Sequence, residues 1–173
     1  MKNKSGILAV ILLVGILSTM AYALNQVFAT HVEQPIQFNH KLHVDPEGEI
    51  GMACSDCHLY YKTQHNSGRP VLSVCTDCHQ VEETDKPELK KLMGYIEKAS
   101  EVPWERIYYL PDHVAFSHRI HTQAAEIKCE VCHGNMAERT APPSRPLVAH
   151  TMSFCMDCHR ERQASLDCLA CHK

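Results

Sequence analysis

The chain has 173 residues, a formal net charge of −3 and no basic block, which argues against a nucleic-acid partner. Hydrophobic residues make up 45% of it, but many of them sit in the first thirty positions. Beyond residue 29 there are three Phe and one Trp, too few large apolar side chains for a conventional core in one modest domain.

Lys2 and Lys4 open the sequence, and no charged residue follows from Ser5 to Thr30. Gly6 to Leu24 is a nearly continuous apolar run of nineteen residues, which at about 1.5 Å per residue just reaches across a bilayer core of about 30 Å. The run reads as a single-pass transmembrane anchor in the inner (cytoplasmic) membrane. The lysines before it place the N-terminus in the cytoplasm, and the rest of the chain on the periplasmic side. A cleaved signal peptide is the competing reading, because Ala21-Tyr22-Ala23 fits an A-x-A site. The apolar run is longer than the usual stretch of about 7–15 residues in such a peptide.

Residues 34–43 then read QPIQFNHKLH, followed by Cys54-x-x-Cys57-His58, a lone His65 and Cys75-x-x-Cys78-His79. The one stretch with helical periodicity comes next. Asp85 can cap it, Pro87 suits its first turn, and Leu89, Leu92, Met93 and Ile96 share a face, which predicts a helix over 87–99. Its apolar stripe suits packing on the edges of the haems argued for below better than a separate binding surface. Residues 102–110, VPWERIYYL, form a connector or part of a docking surface, where Trp and Tyr are enriched. FSHRIH at 116–121 leads to Cys129-x-x-Cys132-His133, a lone His150, Cys155-x-x-Cys158-His159 and finally Cys168-x-x-Cys171-His172.

The order F-x-H-x-x-H, C-x-x-C-H, single His, C-x-x-C-H thus occurs twice. The offset is 78 residues for the paired histidines, 75 for the first cysteine motif and 80 for the second. This is an internal duplication with loops of slightly different length, and the last motif is an addition to it.

C-x-x-C-H is the attachment signature of a c-type haem. Two cysteines three apart lie on one side of a helical turn, where they meet the two vinyl positions of one haem edge. The following His is carried under the iron. Five copies use all ten cysteines, so five covalently bound haems c are expected, with His58, His79, His133, His159 and His172 as proximal ligands. Zinc would leave an odd fifth pair, and disulfides would not explain a His after every second Cys.

The sixth ligand decides between electron transfer at a closed iron and chemistry at an open one. His40 and His43, like His118 and His121, are three apart and can each reach a different haem. These four, with His65 and His150, are the expected distal ligands. By chain proximity His40 would serve the first haem, His65 the second, His118 the third and His150 the fourth. His43 or His121 would serve the fifth. His31 and His113 are read as non-ligands, and Met52, Met136, Met152 and Met156 as poorer choices than His. No catalytic acid–base or nucleophile pattern is visible. The expected fold is mostly irregular, with short α-helices around the haem motifs and one N-terminal transmembrane helix. The expected division is 1–30 cytoplasmic N-terminus and anchor, 31–84 first dihaem module, 85–112 helical linker and connector, 113–160 second dihaem module, and 161–173 fifth haem site.

F-x-H-x-x-H followed by C-x-x-C-H resembles the class III multihaem cytochromes c. QPIQFNHKLH, VCTDCH and PWERIYYLPDHVAFSHRIH followed by IKCEVCHG resemble more specifically the pentahaem cytochrome c subunit of alternative complex III and menaquinone reductase complexes. The resemblance implies an electron-transfer subunit of a quinol:acceptor oxidoreductase complex, with no catalytic site of its own. It also implies partnership with an iron–sulfur, molybdopterin-like subunit, polytopic quinone-binding membrane subunits and a periplasmic redox protein. One alternative is a stand-alone membrane-anchored quinol dehydrogenase feeding a periplasmic reductase. The other is a haem enzyme with an open iron.

Overall fold

Closely spaced cysteines and many loop residues leave room for little more than a helical turn at most of the motifs. The computed structural model describes residues 3–28, 31–48, 50–80 and 85–173. It divides into two compact units, Met1–His31 and Val32–Lys173.

The first unit is helix α1, Asn3–Phe28. Its apolar side chains, Ile7, Leu12 and Ile16 among them, are about 60% exposed. Ser18 donates its hydroxyl to the Val14 carbonyl at 2.8 Å and Thr19 to that of Ile16 at 2.9 Å. Among the described residues no helix is long and apolar enough to cross a membrane. This overturns the expected transmembrane helix, and with it the single-pass placement in the inner membrane. Gly6, Gly15, Ser18 and Thr19 interrupt the apolar run. Lys2, on which the expected orientation partly rested, lies outside the described residues.

In the second unit the helices are α2 (His40–Val44), α3 (Cys54–Cys57), α4 (Leu72–Thr76), α5 (Pro87–Glu97), α6 (Cys129–His133), α7 (Met152–Glu161) and α8 (Cys168–Cys171), with a π-helical turn at Ile120–Ala124. Most are a single turn, too short to be stable in isolation. Tertiary ties must hold them, as expected of a mostly irregular fold. Among the described residues, extended backbone pairs only as an isolated antiparallel bridge between Val114 and His172.

Helix α5 carries Pro87 in its first turn, but its N-cap is Lys86 rather than Asp85, with no side-chain cap bond. It ends earlier than expected. Ala99 takes the left-handed conformation (φ 47°), and the Ser100 and Ala99 amides donate back to the Tyr95 and Ile96 carbonyls, both at 3.0 Å. This is a Schellman ending without its usual glycine. The apolar stripe packs inward. Leu92, Ile36 and Val102, each 6% exposed, form the buried cluster, with Leu72, Cys75 and Trp104 packed against it. The connector is pinned at its start. Gln34 donates to the Glu105 carbonyl at 2.9 Å and accepts from the Glu105 amide at 3.0 Å. The residues at 81–84, where the first expected module ends, lie outside the described residues.

Candidate functional site

Four of the five cysteine motifs hold both cysteines on a helix, the local form that thioether attachment needs. In α3, α6 and α8 both cysteines lie on one short helical turn, α7 holds Cys155 and Cys158 within three turns, and α4 ends just beyond Cys75. All ten thiols are free, none fully buried. Partial burial pushes the Cys57, Cys75, Cys129, Cys132 and Cys155 thiols up from their ordinary range. Among the described residues no group of three or more His, Cys, Asp or Glu converges on one point, as a zinc centre would require.

The duplication is visible in side-chain geometry. Phe38 meets His40 edge-on at 4.9 Å and 88°, and stacks on His43 at 4.4 Å and 30°. Phe116 meets His118 at 4.9 Å and 87°, and His121 at 4.5 Å and 29°. His43 Nδ1 bonds the Asn39 carbonyl at 2.8 Å, and His121 Nδ1 that of Ser117 at 2.9 Å. A carbonyl on Nδ1 fixes the tautomer and leaves Nε2 as the metal-facing nitrogen.

Those rings face motif histidines. The centroids of His43 and His79 are 6.3 Å apart, those of His118 and His133 6.3 Å, and those of His121 and His159 6.2 Å. A metal–imidazole bond is about 2 Å and the ring centroid lies about 1 Å behind its nitrogen, so two imidazoles on one metal sit about 6 Å apart. Burial first, and the nearby His58 after it, hold His40 at a pKa of about 4. Burial and His150 do the same to His133. Burial also lowers His118. Near neutral pH these imidazoles keep a free lone pair. His40 Nδ1 is buried without a hydrogen-bond partner.

The residues therefore fit c-type haem. The donor set is right, and opposing rings are spaced for one iron.

The placement of individual histidines differs from chain proximity. His43 faces the second motif and His121 the fourth, the positions expected for His65 and His150. Two histidines one turn apart share a face, so each reaches a separate neighbouring site. His65 Nδ1 instead bonds the Phe116 carbonyl at 3.0 Å, while the His65 carbonyl accepts from His118 Nδ1 at 2.7 Å. This reciprocal clasp joins the two halves of the duplication. His150 turns Nε2 to the Cys132 carbonyl at 2.8 Å. Its ring lies 5.8 Å from that of His133. His172 has neither His43 nor His121 beside it; its ring neighbour is His113, at 5.5 Å and 24°.

Sequence reasoning missed Tyr108. Its hydroxyl donates to the His133 carbonyl at 3.4 Å and accepts from the Leu147 amide at 3.1 Å. Its ring lies 4.6 Å from His133 and 4.8 Å from His150. The only available signal was the aromatic pair in a connector with no other motif.

The motif sites also neighbour one another across the duplication. The Cys54 and Cys129 thiols are electrostatic neighbours, which brings the first motif beside the third. Cys75 feels Cys57, Cys132 feels Cys158, and Cys155 feels Cys171. Each pairing joins motifs adjacent in the order second, first, third, fourth, fifth.

Two protein families match the sequence. "Class III cytochrome C family" covers residues 18–102 and "Cytochrome c7 and related cytochrome c" residues 114–173. The chain is also similar to the menaquinone reductase, multiheme cytochrome c subunit, of Nitratidesulfovibrio vulgaris (strain Hildenborough). The two are 30% identical over 176 residues, 88% of this chain and 82% of that relative.

Proposed function

The chain belongs to the class III-type multihaem cytochromes c, together with the menaquinone reductase multihaem subunit, and on that premise we propose that it carries electrons within a quinone-linked oxidoreductase complex. Bound haem c supplies a one-electron ferric/ferrous couple at each site. In this reading five haems are held, one at each C-x-x-C-H. The cysteines fix each by two thioethers, and His58, His79, His133, His159 and His172 ligate from the motif side. His40, His43, His118 and His121 would supply the second imidazole to the first, second, third and fourth haems. Residues 31–84 and 113–160 act as two dihaem modules, with 85–112 as their connector and 161–173 as the fifth site. His65 and His150 brace the modules through carbonyl contacts.

One observation carries the reading. Opposed imidazoles recur at 6.2–6.3 Å, once in the first module and twice in the second. Closed irons pass electrons without binding substrate, so the chain works as a relay between partners. Those partners are an iron–sulfur, molybdopterin-like subunit, polytopic quinone-binding subunits and a separate redox protein. The test is haem counting by intact mass, with haem-stained native gels of gently solubilised membranes and cytosol. Five haems in a large assembly reduced by menaquinol support the proposal. A lone monomer that itself oxidises quinol overturns it in favour of a stand-alone dehydrogenase.

A further inference from the structure

We infer that His113 is the sixth ligand of the iron at the fifth motif. The inference rests on the five-haem reading and deepens it. The fifth motif has no distal histidine by chain order, because Cys168 follows His159 by only nine positions with no histidine between. The two histidines with the best claim to it are engaged elsewhere, His43 opposite His79 and His121 opposite His159. His150 has committed Nε2 to the Cys132 carbonyl. His65 is tied to the 116–118 segment through Nδ1 and its carbonyl.

His113, by contrast, is brought to the fifth motif by the backbone. Lys173 donates its amide to the His113 carbonyl at 3.0 Å, and Ala115 donates to the Cys171 carbonyl at 2.7 Å. Val114 and His172 form the bridge between these bonds. The segment 113–115 is thereby held alongside Cys171, His172 and Lys173. Across that bridge the His113 and His172 rings lie 5.5 Å apart and within 24° of parallel. The separation is close to the roughly 6 Å of two imidazoles on one metal. Asp112 and Pro111 precede His113 and offer no competing nitrogen donor.

The experiment uses the full chain, matured in its assembly, as wild type, His113→Ala and His113→Met. Intact mass counts the haems, and EPR with near-infrared magnetic circular dichroism counts spin states and identifies axial ligands. His113→Ala should keep five haems and convert one fifth of the ferric haem to high spin, with added imidazole restoring low spin. His113→Met should stay low spin and gain the charge-transfer band of a methionine-ligated iron, which a merely structural role would not produce. A full haem count with no new high-spin signal and no methionine band overturns the assignment alone. The assignment also falls if His65→Ala or His150→Ala opens the fifth iron instead. A wild-type mass without the fifth haem overturns the five-haem reading, and the assignment with it.

Discussion

The imidazoles of His118 and His133 face each other at 6.3 Å with planes only 7° apart, whereas those of His43 and His79, at the same distance, are 60° apart. Parallel imidazoles donate into the same iron d orbital and split the remaining pair, whereas crossed ones leave that pair nearly degenerate. Two types of low-spin EPR signal are therefore expected, a rhombic one from the third site and a more axial one with larger maximum g from the second. His43→Ala should remove the axial signal selectively. Loss of the rhombic signal instead would show that the ligand pairing is wrong.

His121→Ala should open the fourth iron and leave the fifth closed. One fifth of the haem turns high spin while the haem count stays unchanged. Redox-potentiometric spectra assigned by site would check this, and a high-spin signal at the fifth site would contradict it.

Tyr108→Phe removes one hydroxyl between His133 and Leu147 and keeps the ring. The loss should cost about 0.5–1.5 kcal/mol, leave every haem low spin, and shift the midpoint potential of the third site alone. Thermal melts and a spectroscopic redox titration would measure both effects. A change at the fourth or fifth site would show that Tyr108 acts elsewhere.

Leu92→Ala attacks a cluster that holds three buried residues among the described ones. Truncating a buried leucine costs about 2–5 kcal/mol. With so few others to share the load, a large drop in melting temperature is expected, and the region around Cys75 should loosen first. Hydrogen exchange of the 72–76 and 87–97 amides reports it. Unchanged protection would place the stabilising core elsewhere.

How much of this was legible in the sequence depends on whether a feature is local or not. The cysteine turns are local, and the matching geometry of Phe38 and Phe116 against their histidines follows from one duplicated hexapeptide. The pairing of sites is not local. The His43 ring lies opposite that of His79 across intervening loops, and His113 comes beside His172 only because residues 171–173 return to residues 113–115. No spacing rule reports that return. Asp85 is a good cap by type, but Pro87 at the first position and Lys86 at the cap leave it one residue too early. The charge-free run of α1 showed its helix but not that it falls short of a membrane span.

The Val114–His172 bridge has a bearing on biogenesis. Residues 171–173 complete a contact with a segment made about sixty residues earlier, so synthesis must pass Lys173 before that contact can form. Until then the fifth motif is an accessible dithiol beside a histidine, open to the maturation enzymes. Once Lys173 settles on His113, the same motif is fastened to the 113–115 segment. Fastening of the fifth motif to residues 113–115 thus follows the synthesis of both segments.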